Sequence, residues 1–509
     1  MPVDTLKSRI LHEFAFPPTT EQEKAIDAFT RFLTCQNSMS AMIMRGCAGT
    51  GKTTLSGAIV RSLLALRQKV VLLAPTGRAA KVFSLGSGHP AFTIHRRIYR
   101  ERKMAGIDST FSLNDNLCTN TLFMVDEASM VSNLGLGNVH FGSGCLLDDL
   151  VRFVYQGAGC RLMLIGDKAQ LPPVGELESP ALSASVLQGY GLDVYECDLN
   201  EVLRQSSQSG ILYNATVIRR MITLDGVTGL PLVRFSGFAD IVYMPGNELV
   251  ESLSDSYRRV GIDDTMVVTR SNKRAVIYNN GIRNMVLDRE EELSRGDMLM
   301  IVKNSYYWTD QEKANGIKHL QDAQNAASNT PESFKSVQTA KEELDAIPTF
   351  LANGDRAKVL RVSHNRNLYG FHFATLLLQF PDYDNYEISV TALIDTLQSE
   401  AASLSADQQE QLFTQVGADY SEIPHKADRL KAIRQDPYYN ALQVKYAYAV
   451  TCHKAQGGQW AHVYVDQGYM TDDMLTPDYI HWLYTAFTRA TEKLFLVNWP
   501  KTQTDTSVH

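Results

Sequence analysis

Eight residues near the N-terminus have the types and spacing of a loop that binds phosphate groups. The sequence GCAGTGKT, residues 46–53, fits the pattern G-x-x-x-x-G-K-[S/T] and lies between an apolar run and a helix-compatible stretch. Glycines let the backbone curl so that N–H groups face phosphate oxygens, while Lys52 reaches the β- and γ-phosphates and the Thr53 hydroxyl coordinates Mg²⁺. The predicted nucleotide-binding residues here are Gly46, Cys47, Ala48, Gly49, Thr50, Gly51, Lys52, Thr53 and Thr54.

Two later strand-like runs also end in residues that suit phosphate chemistry. LFMV is followed by Asp126 and Glu127, and RLMLIG is followed by a turn that contains Gln170. A buried strand that ends in two carboxylates is costly unless a cation or a proton transfer uses them. We therefore expect Asp126 to hold Mg²⁺, Glu127 to act as general base on the attacking water, and Gln170 to sense the γ-phosphate. The alternatives are an acidic helix start and a proline-ended surface turn.

The order of motifs along the chain resembles that of one known family. Eight segments follow one another along most of the chain: GCAGTGKT, APTGRAA, TIHR, VDEASMV, GDKAQLPPVG, LNEVLRQ, VTCHKAQG and YTAFTRA. This series is similar to that of superfamily-one DNA helicases, and most similar to the RecD-like and phage Dda-like branch. The resemblance implies an ATP-dependent DNA helicase that moves 5′ to 3′ along single-stranded DNA and unwinds duplex. Mg-ATP hydrolysis would take place in the cleft between two RecA-like domains.

The resemblance also implies roles that the residues alone leave open. Gln22 is similar to a residue that recognises adenine, and Gly458 permits close backbone approach to the nucleotide. Arg204 and Arg489 resemble arginine fingers, for which the alternative is a surface salt bridge. Ala455 and Gln459 stand where many relatives have serine and an acidic residue. The predicted catalytic residues are therefore Lys52, Glu127, Gln170, Arg204 and Arg489, and the predicted metal ligands are Thr53 and Asp126.

The formal net charge is −7, yet basic residues are concentrated in one stretch. Residues 78–103 contain seven Lys and Arg against one Glu, in segments that contact the DNA backbone in the family. Binding by such a cluster is salt-sensitive and largely independent of sequence, whereas the alternative is a solvated helix face. Phe111 is a candidate apolar wedge on a duplex-splitting hairpin, and Phe92 and Tyr99 are candidate stacking surfaces. The predicted DNA-binding residues are Thr76, Arg78, Thr93, His95, Arg96, Phe111, Thr451 and His453.

The elements that must position these residues follow a repeating pattern. Short apolar runs such as AMIMRG, KVVLLAP, TLFMVDE and CRLMLIGD alternate with longer mixed segments up to about residue 302. This pattern is typical of buried parallel strands that alternate with helices, and functional residues collect at the carboxyl ends of such strands. The expected fold class is α/β, and the resemblance implies two RecA-like parallel-sheet P-loop NTPase domains. The resemblance adds a β-hairpin insertion in the first domain and a β-rich, SH3-like and helical insertion in the second.

The expected domain limits follow from changes in this pattern. The first RecA-like domain is residues 1–200, with the hairpin insertion at about 97–120. The second comprises residues 201–303 and 438–509 and is interrupted by an inserted domain at 304–437. Within the insertion, residues 311–345 and 399–434 are predicted to be helical. FHFATLLLQF and YEISVTALI are predicted to form antiparallel strands.

Composition narrows the class of protein. The chain has 509 residues, with 44% hydrophobic and 21% charged, which predicts several domains and excludes a uniformly basic nucleic-acid coat. Its seven cysteines include no CxxC pair, so neither a disulfide framework nor a zinc site is predicted. Since no apolar run approaches the ~20 residues of a membrane span, a cytoplasmic protein without membrane contact is expected.

The expected partners are single-stranded DNA and junctions of single- and double-stranded DNA. A single-strand-binding protein or a nuclease subunit is a further expected partner, and the active form is expected to be a monomer. One alternative is an RNA helicase or RNA-stimulated ATPase of the same superfamily. Another is a non-hydrolysing, ATP-switched binding module, which is disfavoured because such a module needs no hydrolytic residue set.

Overall fold

A computed structural model of the chain describes residues 3–14, 16–102, 110–135, 142–201, 209–222, 229–326, 331–348 and 350–505. Among the predicted site residues, Arg204 lies outside the described residues, and Phe111 is described in its backbone alone. The chain forms two compact units, one of residues 1–270 with 450–509 and one of residues 271–449. In the described ranges, no helix has the length and apolar character needed to cross a membrane.

The described helices lie throughout the chain. They are α1 (Val3–Glu13), α2 (Thr20–Thr34), α3 (Lys52–Ala65), α4 (Gly77–Ser87), α5 (Ile94–Ile98), α6 (Leu146–Gln156), α7 (Ala184–Gly189), α8 (Gly210–Ile222), α9 (Leu249–Arg259), α10 (Asn272–Gly281), α11 (Tyr307–Asn325), α12 (Pro331–Ala346), α13 (Ala406–Asp419), α14 (Lys426–Arg434), α15 (Cys452–Ala455) and α16 (Pro477–Phe487). Helices α11 to α14 correspond to the two segments predicted to be helical.

The described strands form two open sheets, one hairpin and one barrel. They are β1 (Ser40–Gly46), β2 (Lys69–Ala74), β3 (Ala91–Thr93), β4 (Tyr99–Arg102), β5 (Thr110–Leu113), β6 (Thr121–Val125), β7 (Arg161–Gly166), β8 (Asp193–Leu199), β9 (Ile241–Met244), β10 (Thr265–Thr269), β11 (Met298–Ile301), β12 (Arg356–Leu368), β13 (Phe371–Phe380), β14 (Tyr386–Leu393), β15 (Leu442–Tyr446), β16 (Ala449–Thr451), β17 (Trp460–Asp466) and β18 (Ala490–Val497).

The first sheet has the strand order β3-β2-β6-β7-β1-β8, and all of its pairs are parallel. Strand β1 lies between β7 and β8, where Ile43 pairs with Leu164 on one side and Glu196 on the other. Helices α1, α2 and α3 contribute apolar side chains to the core of this fold, among them Phe29 and Ile59. Because the strands are parallel, their carboxyl ends meet at one edge, which carries the predicted site.

The second sheet combines strands that are far apart in the sequence. Its order is β16-β10-β17-β18-β9, and the pairs β10–β17, β17–β18 and β18–β9 are parallel. Its strand runs are buried on both faces, as expected for parallel strands covered by helices. Two parallel sheets with helices confirm the predicted α/β fold class.

The unit of residues 271–449 contains a closed five-stranded barrel, β11-β12-β13-β14-β15. Strands β13 and β14 are antiparallel with Leu376 opposite Val390, which confirms the predicted strand type. Strands β11 and β15 also pair with each other, although both lie outside the predicted insertion limits of 304–437. The barrel needs both strands to close, so the limits drawn from the sequence are narrower than the barrel itself.

Candidate active site

The phosphate-loop sequence connects the end of β1 to the start of α3. Gly49 and Gly51 have φ values of 80° and 82°, in the left-handed region that favours glycine. A Cβ at Gly46 would lie 2.8 Å from Thr50 Oγ1, so a larger residue has no room there. The Cys47 N–H donates to Leu199 O at the end of β8 (3.3 Å). This loop has the strand, turn and helix context that phosphate binding requires.

Lys52 and Gln22 both contact the phosphate loop itself. Lys52 Nζ donates to Gly46 O (2.6 Å) and Cys47 O (3.0 Å). Phosphate oxygens are also hydrogen-bond acceptors and could take the place of these carbonyl oxygens. The Gln22 amide accepts from the Thr19 N–H at the start of α2 (2.9 Å) and donates to Thr50 O (3.0 Å). Both ends of this buried amide are engaged within the protein, so Gln22 joins α2 to the loop. Its predicted contact with adenine stays a prediction.

Asp126 and Glu127 lie at the carboxyl end of β6. Asp126 Oδ1 accepts from the Glu127 N–H (2.9 Å), and Glu127 has a φ of 51°. Burial, together with the charge of Glu127, raises the pKa of Asp126, while the Lys52 ammonium opposes this shift. A cation at this strand end would relieve the cost of the desolvated carboxylate. The Thr53 hydroxyl at the start of α3 is exposed, so the donor set fits Mg²⁺ held with phosphate oxygens.

Glu127, Gln170 and Arg489 form one chain of contacts. With the amide orientation that satisfies both of its ends, Gln170 donates to Glu127 Oε2 (3.2 Å) and accepts from Arg489 Nη2 (3.3 Å). The three residues come from the end of β6, the turn after β7, and the segment between α16 and β18. The structure thus brings together three of the five predicted catalytic residues, and Lys52 lies in the adjacent loop.

Arg489 is held in a fixed orientation by other protein groups. It is 2% exposed, and its guanidinium donates to Thr485 O (3.0 Å), Gly458 O (3.1 Å) and Thr488 Oγ1 (3.2 Å). A Cβ at Gly458 would lie 2.4 Å from the Trp460 ring, which explains the glycine. Gly458 therefore positions Arg489 through its carbonyl, and its predicted contact with the nucleotide stays a prediction.

Sequence reasoning missed the residues of α16 that hold the turn carrying Gln170. Thr485 Oγ1 accepts from the Leu171 N–H (2.8 Å), and His481 Nδ1 donates to Ala169 O (2.9 Å). Tyr484 donates to Asp167 Oδ2 (2.6 Å) and accepts from the Ala48 N–H (3.1 Å). Tyr484 and Thr485 belong to the segment YTAFTRA, in which the sequence analysis assigned a role to Arg489 alone.

A second missed residue, Arg219 on α8, contacts the phosphate loop. Its Nη1 donates to Cys47 Sγ (3.2 Å), and its Nη2 donates to the Asn200 side chain. No sequence motif marks this arginine, because its role depends on how α8 packs against the loop. The phosphate loop is therefore contacted by groups from α2, α8 and α16, in addition to its own flanking elements.

Comparisons with known proteins find family models and helicases that are similar to this chain. Residues 19–219 match the AAA domain family, and residues 446–497 match the UvrD-like helicase C-terminal domain. The chain is 26% identical to the ATP-dependent DNA helicase dda of Enterobacteria phage T4 over 51% of its length and 55% of that protein. It is 32% identical to the ATP-dependent RecD2 DNA helicase of Deinococcus radiodurans, over 26% of its length and 16% of that protein. These matches confirm that the chain resembles superfamily-one helicases of the RecD-like and Dda-like branch.

Two further similarities extend over most of this helicase. An uncharacterised protein of Acanthamoeba polyphaga mimivirus is 22% identical over 93% of the chain and 98% of that protein. The crystal structure of Pif1 helicase from Bacteroides in complex with ADP-AlF3 and ssDNA is 14% identical, with a TM-score of 0.44, over 96% of this chain and 94% of that chain. The predicted enzyme class, an ATP-dependent DNA helicase, is confirmed by the two family matches and by the dda and RecD2 relatives.

The predicted DNA-binding residues of the helicase lie in two segments that meet. Thr76 and Thr93 are helix N-caps, whose hydroxyl oxygens accept from the backbone N–H groups of Ala79 and Arg96 (both 3.2 Å). A Cβ at Gly457 would lie 3.3 Å from Thr76 Oγ1, so the segment after α15 reaches the start of α4. Thr451 is half-buried and His453 is exposed, just before and within α15.

Several cations of the basic stretch already contact protein groups. Arg78 donates to Gln459 O (2.7 Å), and its guanidinium lies 4.5 Å from the centre of the Trp460 ring. Arg96 lies over Phe92 at 5.4 Å. Arg97 bonds Cys118 Sγ and Arg100 pairs with Asp115. The clustered charge in the sequence is thus not a continuous free patch, because part of it packs against aromatic rings and acceptors.

His95 and Tyr99, which lie in and just after α5, are more buried than their predicted roles in contact with DNA require. Tyr99 is 6% exposed and donates to Asp149 Oδ2 of α6 (2.7 Å), so it is a core residue and not an open stacking surface. Burial lowers the pKa of His95 to about 4, and His95 is therefore neutral near pH 7. The predicted contact of His95 with DNA would therefore use the neutral ring and not a charged one. Phe111 stands opposite Glu101 on the hairpin, and its side chain lies outside the described part.

Proposed function

We propose that this helicase hydrolyses Mg-ATP between its two RecA-like folds and uses the energy to move 5′ to 3′ on single-stranded DNA, unwinding duplex ahead of it. The observation that carries the proposal is the contact chain from Glu127 through Gln170 to Arg489. These contacts join the end of β6 in the first sheet to Arg489, which lies between α16 and strand β18 of the second sheet. A group that responds to the γ-phosphate therefore touches both folds.

Each residue of the site has a role that suits its chemistry. Glu127 orients and deprotonates the attacking water, and Lys52 exchanges its loop carbonyls for phosphate oxygens. Arg489 is already ordered by three acceptors, and the remaining N–H of its Nη1 would donate to the γ-phosphate. Gln170 reports the state of the γ-phosphate to Arg489. We assign a second arginine finger to Arg204 on the resemblance alone.

Thr53 and Asp126 would hold Mg²⁺, which when bound neutralises charge on the β- and γ-phosphates. The raised pKa of Asp126 supports this assignment, since a carboxylate whose ionised form is disfavoured gains most from a nearby cation. The donor set needs phosphate oxygens to be complete. Within the described parts of the chain, no group of three or more His, Cys, Asp and Glu residues is placed to hold a metal.

The proposal has a direct test with two readouts. Purified wild-type protein should show ATPase activity that rises with added single-stranded DNA, and Glu127→Gln should abolish most of this turnover while ADP still binds. Strand displacement should release the 5′-tailed duplex and leave the 3′-tailed duplex intact. An ATPase indifferent to single-stranded DNA would contradict the proposed function. Release of the 3′-tailed substrate alone would overturn the direction.

RNA is the second candidate substrate, because the sequence motifs of the ATP site do not distinguish the sugar of DNA from that of RNA. Stimulation by DNA and RNA oligonucleotides of matched sequence separates the two. We expect the DNA strand to stimulate more strongly at equal concentration. We also propose that the active form is a monomer in the cytoplasm. A single-strand-binding protein or a nuclease subunit is proposed to act with the helicase.

A further inference from the structure

One side chain connects the phosphate loop to the turn that carries Gln170. The Tyr484 hydroxyl accepts from the Ala48 N–H (3.1 Å) and donates to Asp167 Oδ2 (2.6 Å). Tyr484 is 1% exposed and Asp167 is 3% exposed, so water does not compete for these bonds. A single hydroxyl thus uses both of its hydrogen-bonding functions on two separate parts of the ATP site.

The other end of this connection is equally well defined. Asp167 Oδ1 accepts from the Ala169 N–H (3.0 Å), and Asp167 O accepts from the Gln170 N–H (3.2 Å). Asp167 therefore shapes the turn from which the Gln170 amide reaches Glu127 and Arg489. A displacement of the phosphate loop at Ala48 is transmitted through two short bonds to the backbone of this turn.

The position of Tyr484 in the sequence adds a third connection. It lies in α16, five residues before Arg489, and the neighbouring Thr485 both bonds the Leu171 N–H and accepts from Arg489 through its carbonyl. The phosphate loop, the Gln170 turn and the helix that leads to Arg489 therefore meet at one residue. Deleting the hydroxyl removes the contact with the loop and the bond to Asp167, and it leaves the bonds of Thr485 and His481 to the turn in place.

We propose that Tyr484 is a positioning residue, whose hydroxyl keeps the phosphate loop and the Gln170 turn in register so that nucleotide bound in the loop orders Gln170 and Arg489 for hydrolysis. This inference rests on the proposed function. It assigns Tyr484 no contact with ATP and no proton transfer. Its effect falls on the rate of hydrolysis and on communication between loop and turn, not on nucleotide affinity.

The test compares two tyrosines of the same helix. Tyr484→Phe removes the bridging hydroxyl and keeps the ring. Tyr479→Phe is the matched control, because Tyr479 is also buried in α16 and its hydroxyl bonds Gln467, away from the phosphate loop. We expect Tyr484→Phe to lower kcat with single-stranded DNA about 10-fold to 100-fold, the range for one lost hydrogen bond to a charged group. The KM for ATP and the Kd for ADP should stay within about threefold. Tyr479→Phe should leave kcat unchanged.

Hydrogen–deuterium exchange gives a second readout that does not depend on turnover. In the wild type and in Tyr479→Phe, ADP should protect both the phosphate loop and the peptide containing residues 167–171. In Tyr484→Phe, ADP should still protect the loop but no longer the 167–171 peptide. Protection of both peptides in Tyr484→Phe would overturn the inference, as would equal loss of kcat in the two variants.

These readouts also separate this inference from the proposed function. A wild type without DNA-stimulated turnover contradicts the proposed function, while loss of protection in Tyr484→Phe would still support the connection. Should Tyr484→Phe fail to fold, Asp167→Asn takes its place. It keeps the shape of the partner and removes its charge, and it should weaken the same protection. Unchanged protection in Asp167→Asn would count against the connection.

Discussion

Replacing Gln170 with alanine should slow ATP hydrolysis with little effect on nucleotide binding. The substitution removes two contacts, with Glu127 at 3.2 Å and with Arg489 at 3.3 Å, both to charged groups. Hydrogen bonds to charged groups contribute about 1.5–3 kcal/mol, and the long distances place these two at the lower end. Loss of both then corresponds to about 3 kcal/mol in the barrier, or roughly 100-fold in kcat.

The same substitution should leave Arg489 in place. Its guanidinium keeps its bonds to Thr485 O, Gly458 O and Thr488 Oγ1. The loss in folding stability should therefore stay near the ordinary cost of a deleted buried hydrogen bond, about 1–2 kcal/mol. DNA-stimulated ATPase assays at saturating ATP give kcat, ADP titration gives affinity, and thermal unfolding gives stability.

Gln456→Ala is the matched control for this substitution. Gln456 is also a buried amide, and its Nε2 donates to Leu171 O (2.8 Å) in the same turn, without touching Glu127. We expect a similar loss of stability but a kcat within about threefold of the wild type. If Gln170→Ala kept wild-type kcat, the assignment of Gln170 would be wrong. If both variants lost kcat equally, the effect would come from loosening of the turn.

Three further predictions concern residues outside the hydrolytic centre. Burial raises the pKa of Asp355 to about 7. Because the carboxyl of the unfolded chain ionises near pH 4, the folded protein loses stability as the pH rises from about 4 to 7. Asp355→Asn should therefore raise the melting temperature more at pH 8 than at pH 5. Tyr99→Phe should lower the unfolding free energy by about 1–2 kcal/mol while single-stranded DNA affinity stays unchanged, and a large loss of affinity would restore its predicted stacking role. Arg78→Ala should reduce the melting temperature by a few degrees because the Trp460 contact is lost, and an effect confined to salt-dependent DNA binding would contradict that packing role.

The grouping of the residues predicted to bind and hydrolyse ATP could be anticipated from sequence because each lies in or next to a short local pattern. The phosphate loop is a continuous segment. Asp126 and Glu127 directly follow one apolar run and Gln170 lies in the turn after another, so their placement needs only strand boundaries. Arg489 was found through the resemblance, and its contact with Gln170 needed the fold. The carboxyl ends of parallel strands lie at one edge of the sheet regardless of the loops between the strands. For this reason the strand-end residues lie close together in the structure, as expected from the sequence.

The basic stretch shows where sequence reasoning was insufficient. Charge is visible in a sequence, but the partner of a charged group is not, and Arg78 packs on a ring 382 positions later in the chain. Tyr99 is likewise amphipathic, and its bond to Asp149 depends on where α6 packs. The predicted insertion limits of 304–437 leave out strands β11 and β15 because a short apolar run such as MLMI suits a barrel strand as well as a sheet strand.

The contacts of α16 indicate how the two RecA-like folds communicate. Three of its residues, His481, Tyr484 and Thr485, bond the turn at residues 167–171, and the helix ends two residues before Arg489. A rigid helix cannot adjust one of these contacts without moving the others. A change at the γ-phosphate that shifts Gln170 must therefore displace α16 as a whole or break its bonds to the turn. Under the proposed function, displacement of α16 would move the second fold relative to the first, and broken bonds would leave it free to move, which is the motion that translocation requires.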